Sequence, residues 1–408
     1  MNKCLNGLVV VDMTRVLAGP LAGQMLGDMG AEVIKIERPV NGDDSRMFGP
    51  PFLKDENGQD TSQSPMYLSA NRNKKSITLD FSVPAGKELL LKIIAQADVL
   101  IENYKVDDLQ RYGLDYASLR TSFPRLIYCS ITGYGQTGPY RKRPGYDSVF
   151  QAESGIMSVT GHPDGQAGGG PMKVGPSIAD IITGLYASNA ITAALYRRDQ
   201  NQGSGEYIDI SLLESMVCGL GHFATQYLVT GTAPKRMGSQ GNGGVPAQVF
   251  DCTDGAVMMT AGNQGQYISF CKAIHREDLI SNEKFTTNTL RVKNRVELST
   301  ILSLELQSWK SQDLIEALHR FNVPAGRINS LPEVFLDPHI QQRQIVQEVQ
   351  HPAYGAIKLV KNPINFTQSQ AEPDRAPPML GEHTEEILKR FLNIDASQMQ
   401  ELRANQII

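Results

Sequence analysis

Positively charged and amide side chains crowd the segment LSANRNKKSITLD, residues 68–80, just before a predicted strand. Lysine and arginine supply positive charge and asparagine supplies N–H donors, a combination that suits the binding of phosphate groups. A single surface cation is usually only a solvated side chain, so the clustering is what favours a phosphate site. Further cations lie near predicted strand ends, at Arg15, Lys35, Arg38, Arg111, Arg141, Lys142 and Arg143.

Asp180 is a carboxylate in the first turn of a predicted apolar helix. Ser177 precedes it by three residues, which is the spacing of a capping box, and negative charge at this end of a helix is favoured by the helix dipole. The local sequence therefore favours a structural role. The same position would keep the carboxylate ionised, which a nucleophile requires, so the two roles are compatible.

Motifs of several large enzyme classes are absent from the sequence. It contains no GxxxxGK[ST], no GxGxxG after a strand, no HExxH and no GxSxG. These absences argue against P-loop nucleotidases, simple dinucleotide enzymes, zinc proteases and serine hydrolases. The five cysteines are scattered without a CxxC pair, so we predict neither a disulfide framework nor a zinc site.

The first 135 residues alternate short apolar strands with helical segments, which predicts an α/β fold with a parallel sheet. In such sheets ligands collect beyond the carboxyl ends of the strands. The segments at those ends are TRVLAGP, ERP, ENY and TGYGQTGP. We therefore expect these four loops to gather at one edge of the sheet.

Two apolar helices are predicted in the middle of the chain, from Pro176 to about Tyr196 and over ISLLESMVCGLGHFATQYLV, residues 210–229. Helices that are apolar on all sides must be covered, and two in series would support a subunit interface. After Ala247 the pattern changes to a hairpin with its turn at Asp254-Gly255, followed by helices, which predicts a second, smaller domain.

The charge and the N-terminal sequence limit the function classes. The net charge is −4, so no general basic field would attract nucleic acid or anionic lipid. The apolar run LVVV near the N-terminus is too short for a secretory core or a membrane span. We therefore expect a cytoplasmic protein that binds neither nucleic acid nor membrane.

Seven segments occur in one order along the chain: VLAGP at 16–20, AEVIKIERP at 31–39, NRNKKSI at 71–77, IENY at 101–104, GYGQTGP at 133–139, GPSIAD at 175–180 and LGEHT at 380–384. In this order they resemble the class III CoA-transferases. The resemblance implies a Rossmann-like large domain with a parallel sheet, residues 1–225 and 325–408, and a small α+β domain, residues 226–324. It also implies an interlocked homodimer, CoA thioesters as substrates, no permanent cofactor and no metal.

The resemblance also implies site residues. It places Asp180 as the nucleophile that carries first the acyl group and then CoA. CoA would lie along Val16, Leu17 and Ala18, beside Asn103 and Tyr104. Its phosphates would meet Arg38, Lys74, Lys75 and Arg111. Gly241, Gly243 and Gly244 match the family's flexible glycine loop, which would exclude water from a reactive anhydride, although an ordinary surface turn remains open.

The substrate prediction rests on the segments GDDSRMFGPPF, CSITGYGQTGP and LRVKNRVEL, which look most like the branch that transfers CoA from succinyl-CoA to glutarate. A dicarboxylate keeps one charge after it binds CoA, so a cation must meet that charge. Arg46 and Arg236 are the candidates, with Gln240 and Asn242 as lesser donors. For either arginine, a solvent-facing position remains an open interpretation.

Three alternatives remain. A formyl-CoA or acetyl-CoA transferase acting on oxalate belongs to a neighbouring branch. An acyl-CoA racemase would need a base pair, commonly with histidine in a GHD segment, where this chain has Tyr146 between Gly145 and Asp147. A non-catalytic CoA-binding protein could lose both the nucleophile and the glycine loop, and this chain has both.

Overall fold

The computed structural model describes residues 3–55, 57–201, 203–241 and 243–408. The strands are β1 (Val9–Asp12), β2 (Glu32–Glu37), β3 (Lys74–Thr78), β4 (Val99–Glu102), β5 (Ile127–Thr132), β6 (Tyr207–Ser211), β7 (Ala247–Cys252), β8 (Gly255–Thr260), β9 (Ala325–Arg327), β10 (Val346–His351) and β11 (Gly355–Val360). The helices up to residue 230 are α1 (Ala18–Asp28), α2 (Pro65–Ala70), α3 (Pro84–Ile94), α4 (Tyr116–Leu119), α5 (Asp147–Glu153), α6 (Ile156–Val159), α7 (Ile178–Gln200), α8 (Leu212–Gly219) and α9 (His222–Thr230). The later helices are α10 (Gln264–Ala273), α11 (Asp278–Ser281), α12 (Asn288–Lys293), α13 (Arg295–Leu306), α14 (Ser311–Arg320), α15 (Leu331–Leu336), α16 (Pro338–Gln342), α17 (Thr384–Leu392) and α18 (Ala396–Ala404). Two short 3-10 helices lie at Asp44–Met47 and Gln110–Tyr112.

A parallel sheet of six strands, in the order β3-β2-β1-β4-β5-β6, forms the centre of the first unit in the described part of the chain. The predicted α/β class with a parallel sheet is confirmed. Both faces of the sheet are covered, which is why most residues of β1, β4 and β5 are apolar. The strand order reverses between β1 and β4, which is the point where a parallel sheet of this kind forms a ligand-binding crevice.

Helix α7 packs on α1 and on one face of the sheet. Its small residues allow a close approach, since a side chain at Gly184 would lie 2.8 Å from the Ala18 carbonyl oxygen. Ala187 and Ile191 are fully buried in the same cluster. By length and composition alone α7 could also cross a membrane, a test that core helices of globular proteins pass as well. The predicted first apolar helix is confirmed.

The second predicted apolar helix, over residues 210–229, is wrong. Tyr207–Ser211 is the sixth strand of the sheet, paired with β5, and only then does α8 begin. Ser211 caps α8 by accepting the Glu214 N–H at 3.1 Å. Gly221, with φ of 54°, then separates α8 from α9. Apolar periodicity alone could not distinguish a buried strand followed by two short helices from one long helix.

The chain forms two compact units. Unit 1 comprises Met1–Ile156, Val174–Val229 and Gln341–Ile408, and unit 2 comprises Met157–Lys173 and Thr230–Ile340. These bounds differ from the predicted ones in three places. Residues 226–229 belong to unit 1 instead of the small domain. Residues 325–340 belong to unit 2 because β9 pairs with β8, and residues 157–173 join it from far upstream. In unit 2 the hairpin predicted at Asp254-Gly255 forms between β7 and β8, over a core to which α10, α13 and α14 contribute.

Candidate active site

Asp180 lies in the first turn of α7, but its helix is not capped as predicted. The side chain of Ser177 makes no capping hydrogen bond. Instead Oδ1 of Asp147, at the start of α5, accepts the N–H of Ala179 at 2.7 Å and the N–H of Asp180 at 3.4 Å. Gln151 donates to the other oxygen of Asp147 at 2.7 Å. Asp147 therefore fixes the end of α7 that carries Asp180.

The ionisation of Asp180 also differs from the prediction. Burial of its carboxyl group, with the neighbouring charge of Asp147 as a second cause, raises the pKa of Asp180 to about 7. The backbone N–H of Ala18 lowers the pKa, but by less. The helix N-terminus alone would favour the ionised carboxylate, as the sequence indicates, but burial and a like charge outweigh it in the free protein.

The loop after β1 brings that Ala18 N–H to Asp180. Val16 has φ of 72°, a strained conformation for a β-branched residue, and its N–H donates to Oδ1 of Asp43 at 3.0 Å. Asn103, from the loop after β4, accepts the N–H of Arg15 at 2.9 Å and donates to the Arg15 carbonyl at 2.8 Å. The two loops on either side of the crevice are therefore tied to each other.

Buried ion pairs lie beneath this loop. Lys35 donates to Asp43 at 2.8 Å and to the carbonyl of Thr14 at 2.8 Å, and both charged side chains have no exposed surface. Burial alone would raise the pKa of Asp43, but the Lys35 ammonium and the N–H groups of Val16 and Ser45 lower it to about 2. Asp43 is therefore ionised at neutral pH and can hold the strained Val16.

Glu102 holds the other side of the crevice. It is buried at the end of β4, accepts the N–H of Tyr104 at 2.8 Å and is bonded by the Ser130 hydroxyl. Burial raises the pKa of Glu102 to about 7. The residue orients the backbone of Tyr104, a predicted CoA-binding residue.

A cavity of about 500 Å³ opens beside Asp180 in unit 1. Predicted site residues that line it are Asp180, Val16, Ala18, Asn103, Tyr104 and Tyr146. Five cations also line it: Arg15, Lys105, Arg141, Lys142 and Arg143. Tyr146 is 70% exposed, which is a high exposure for a tyrosine.

A second cavity, of about 810 Å³, shares Arg15, Tyr104 and Asp108 with the first. Two predicted phosphate ligands, Arg38 and Arg111, line it with exposed side chains. The rings of Phe81 and Tyr112 lie on its wall, 5.7 Å apart in an edge-to-face pair. The two cavities adjoin because they share Arg15, Tyr104 and Asp108. A long ligand could therefore place anionic groups near Arg38 and Arg111 and its opposite end near Asp180.

Three of the predicted CoA-binding residues lie elsewhere in unit 1. Lys74 is in β3 rather than before it, has no exposed side chain, and donates to Asp12, Asn71 and the Pro20 carbonyl. All three of its N–H donors are used, so a phosphate contact by Lys74 does not fit. Lys75 pairs with Glu32 and Glu386. Leu17 is buried and lines neither cavity.

Arg46, the first candidate for binding a distal carboxylate, is likewise engaged. It donates to both oxygens of Glu37 at 2.8 Å and stacks on Tyr67, with its guanidinium carbon 3.7 Å from the ring centre. Its side chain is only 7% exposed. Arg46 is therefore engaged in a structural ion pair with Glu37. The predicted contact between Arg46 and the distal carboxylate of a substrate does not fit this arrangement.

The glycine segment belongs to unit 2. Gly241 donates to the Ala247 carbonyl at 2.9 Å, and Arg295 donates to the Gly241 carbonyl at 2.7 Å and to Gln240 at 3.4 Å. Gly244 has no room for a side chain, which would lie 2.5 Å from Gly262 Cα, and Asn288 donates to the Gly243 carbonyl at 3.1 Å. Asn242 lies outside the described residues. Arg236 pairs with Asp164 in the same unit.

Asp147, Asp43 and Glu102 were missed as site residues. Asp147 lies in the GYD segment, but its contact with α7 spans 33 residues of sequence. Asp43 and Glu102 act on the site through the backbone N–H groups of Val16 and Tyr104, which the fold brings to them. Across the described residues, no group of three histidine, cysteine, aspartate or glutamate side chains is placed to hold a metal ion.

The parallel sheet and the adjoining cavities define an α/β protein of the Rossmann type in which a buried carboxyl group, Asp180, lies beside cavities lined by cations. A profile of CoA-transferase family III matches residues 5–384, so the chain belongs to this family of CoA-transferases. A succinate--glutarate CoA-transferase of Agrobacterium fabrum is 42% identical over 96% of both chains. The succinyl-CoA:glutarate CoA-transferase of Homo sapiens is 41% identical, covering 100% of this chain and 90% of the human one. The crystal structure of a CAIB/BAIF family protein from Brucella suis superimposes with a TM-score of 0.84 at 41% identity, covering 96% of this chain and 100% of that one.

Proposed function

We propose that this CoA-transferase moves CoA from succinyl-CoA to glutarate or a dicarboxylate of similar length, with Asp180 as the nucleophile. The observation that carries the proposal is the position of Asp180, on the wall of a cavity that continues into a cationic second cavity. The names of the two full-length relatives support the choice of acids.

The proposed path of CoA follows the two cavities. Arg38 and Arg111 bind phosphate groups in the larger cavity, where aromatic rings offer a surface for the adenine. The pantetheine arm runs past Val16, Asn103 and Tyr104 into the smaller cavity. The thioester then lies beside Asp180.

The reaction is an exchange between carboxyl groups. An oxygen of Asp180 attacks the thioester carbonyl carbon, the C–S bond breaks, and CoA leaves as a thiolate while a succinyl-aspartyl anhydride forms. The thiolate then attacks the aspartyl carbonyl carbon of the anhydride, and succinate leaves with the bridging oxygen. The enzyme now holds an aspartyl-CoA thioester. Glutarate attacks that thioester, and the same two steps in reverse release glutaryl-CoA and restore Asp180.

The residues around Asp180 have defined parts in this scheme. Asp147 holds the first turn of α7, so that the attacking oxygen stays fixed, which lowers the entropic cost of attack. The Ala18 N–H stabilises the carboxylate form. The sequence predicts a flexible glycine loop around Gly243 and Gly244, and we propose that this segment excludes water from the anhydride.

A racemase is the less supported alternative. It needs a second base at the carbon next to the thioester. No histidine is among the described residues that line the Asp180 cavity, and Tyr146 occupies the position where a racemase has histidine. The missing base favours transfer over racemisation.

The proposal is tested by Asp180→Asn, which keeps the size and the acceptor oxygen but removes the nucleophile. We expect a loss of transfer of at least about 10³-fold, with CoA affinity kept within about threefold, because the lost contribution is a covalent step. Hydroxylamine added during turnover of the unaltered enzyme should convert Asp180 alone to a hydroxamate, detected by peptide mass. Exposed Asp251 gives the matched control, Asp251→Asn, with unchanged transfer.

Mass analysis of the CoA esters formed from succinyl-CoA and a panel of acids tests the substrates. Glutaryl-CoA should be the major product. A hydroxamate at another carboxylate, or transfer by Asp180→Asn, would refute the mechanism. A preference for oxalate with formyl-CoA or acetyl-CoA would move the protein to the neighbouring branch.

We also propose that the protein is a cytoplasmic homodimer with interlocked subunits. Support for the dimer comes from apolar side chains left uncovered in unit 1, on α7 at Leu185 and Tyr186 and on α9 at Tyr227, Leu228 and Val229. Large exposed apolar side chains of this kind are typical of a subunit interface. The location rests on the sequence alone, and cell fractionation tests it.

A further inference from the structure

Five cations line the cavity beside Asp180, and most of them already have carboxylate partners. Arg15 pairs with Asp44, while Arg141 and Lys142 both pair with Asp107. Within the described residues, only Arg143 and Lys105 among the five form no ion pair. A substrate carboxylate in this cavity would therefore find free donors at these two residues.

Arg143 is held in a defined orientation. Its guanidinium carbon lies 3.5 Å from the ring centre of Tyr140, so the guanidinium plane is stacked on that ring. Tyr140 meets Tyr134 edge to face at 5.9 Å, and Tyr134 meets Phe150 in the same way at 5.1 Å. Phe150 is fully buried and lines the cavity. The aromatic stack thus connects Arg143 to the core.

Stacking of this kind occupies the face of a guanidinium group and leaves its in-plane N–H groups free. Those N–H groups match the two oxygens of a carboxylate, and a pre-oriented arginine loses less side-chain entropy when it binds. Lys105 has no comparable support, since its side chain is exposed and, among the described residues, forms no cation–π contact of the kind that Arg143 makes. Arg143 is therefore the better prepared of the two free cations.

The position of Arg143 in the chain suits a ligand that also reaches Asp180. Arg143 precedes Asp147 by four residues, which can span at most about 14 Å, and Asp147 is bonded to the backbone of Asp180. The phosphate groups of CoA have other cations, Arg38 and Arg111, in the second cavity. Their ion pairs with Asp44 and Asp108 are exposed to solvent, so these pairs are weak enough to exchange for a phosphate. Arg46 and Arg236, the earlier candidates, are committed to Glu37 and Asp164.

We propose that Arg143 binds the distal carboxylate of the dicarboxylic acid and so determines the preference for dicarboxylates over monocarboxylates. The inference rests on the proposed function, because it presumes transfer of CoA to an acid through Asp180. The distal charge stays paired while the other carboxyl group reacts, so the enzyme does not leave a desolvated charge without a partner.

The test compares two acceptors of equal chain length, glutarate and valerate, at saturating succinyl-CoA. Both acids attack the same enzyme-bound CoA thioester, so the ratio of their kcat/KM values cancels effects on the donor and on CoA binding. We expect Arg143→Gln to lower this ratio by about 10- to 100-fold, because one charged hydrogen-bonding pair is lost. Arg143→Lys should keep part of the preference. Exposed Arg120 gives the matched control, Arg120→Gln, with an unchanged ratio.

Direct measurement of CoA binding by calorimetry separates the two possible roles of Arg143. If Arg143→Gln weakens CoA binding and slows both acceptors equally, the arginine binds CoA and the inference is wrong. An unchanged ratio also overturns it. If the unaltered enzyme transfers CoA to neither acid, the proposed function fails and the inference fails with it. If the wild type prefers glutarate and Arg143→Gln keeps the same preference, only the assignment of Arg143 is refuted and the proposed function stands.

Discussion

Asp180 has to be both fixed in place and able to ionise, and the same neighbour, Asp147, favours the first requirement and opposes the second. Asp147 fixes the backbone of Asp180, yet its negative charge opposes ionisation of the Asp180 carboxyl group. A neutral side chain at position 147 could also accept the N–H groups, but it would gain less from the positive end of the α7 dipole. The resulting pKa of about 7 leaves the free enzyme half ionised at neutral pH.

We predict a pH profile from this pKa. Only the ionised carboxyl group attacks, so kcat/KM for succinyl-CoA should rise with pH through a midpoint of about 7 and level off above it. Asp147→Asn removes the like charge but keeps an acceptor oxygen, so its midpoint should move to lower pH. Burial is the larger cause of the raised pKa, so the midpoint should stay above the ordinary value of 3.8.

The control for this profile is Asp251→Asn, which removes an exposed carboxylate of unit 2 and should leave the midpoint where it is. The profiles are measured between roughly pH 5 and pH 9, in buffers of constant ionic strength, because screening changes charge interactions. Identical midpoints for Asp147→Asn and the unaltered enzyme would show that the Asp147 charge does not act on Asp180.

At the scale of elements, the loop after β1 is held from below by buried charges and from the side by Asn103. Lys35 and Asp43 fix the loop backbone around Val16, and Glu37 with Arg46 supports the neighbouring segment that contains Asp43. Buried pairs of this kind add little net stability compared with apolar packing, but they are costly to break. Their value here is the fixed, strained backbone that lines the cavity.

We predict that Arg46→Ala destabilises the protein instead of changing substrate affinity. The change leaves Glu37 buried without its bidentate partner, which should cost about 3–5 kcal/mol in the free energy of unfolding. Urea unfolding measures the loss, and kinetics on the folded fraction should give a KM for glutarate within about threefold of the original value. Arg120→Gln serves again as an exposed control. A large rise in KM with unchanged stability would restore Arg46 as the residue that binds the distal carboxylate.

The parallel strands, α1 and α7 could be predicted because their signals are local. Short, mainly apolar segments mark β1, β4 and β5, and the small residues of α7 mark a closely packed helix. The prediction of one helix over residues 210–229 is wrong, because β6, α8 and α9 are all rich in apolar residues and no glycine or proline in the sequence marks the end of β6. The prediction of Lys74 as a phosphate ligand is wrong, because the sequence does not distinguish a buried lysine in a strand from an exposed one. Its partner Asp12 lies 62 residues away, so the ion pair is visible only in the folded chain.

The candidate site was predictable as a set of positions and not as a set of contacts. The order of the motifs led to Asp180, Arg38, Asn103 and Tyr104, which do line the two cavities. The partners of Arg46 and Asp180 come from segments distant in sequence or from backbone groups, so no local pattern indicates them. Pairing also decides which arginine is free, and that information exists only in the folded chain.

At the scale of the whole molecule, the two units differ in how their cores are built. Unit 1 has apolar clusters on both faces of its sheet, and unit 2 has one cluster of its own. The helices α7, α8 and α9 nevertheless leave large apolar side chains uncovered. An isolated chain would expose this surface to water, which a stable protein avoids by association.

We predict that the protein is a dimer at micromolar concentration and that the surface of α7 and α9 forms its interface. Sedimentation should give twice the chain mass of 44.8 kDa. Leu228 is 80% exposed, and Leu228→Glu should weaken the dimer at least about tenfold, because a charge buried in an apolar interface costs more than 1.4 kcal/mol. Val360→Glu places the same charge on β11, where a single exposed valine gives the control, and it should leave the dimer intact. A wild-type protein that sediments as an active monomer would refute the interlocked arrangement, whereas a dimer that tolerates Leu228→Glu would place the interface on another surface.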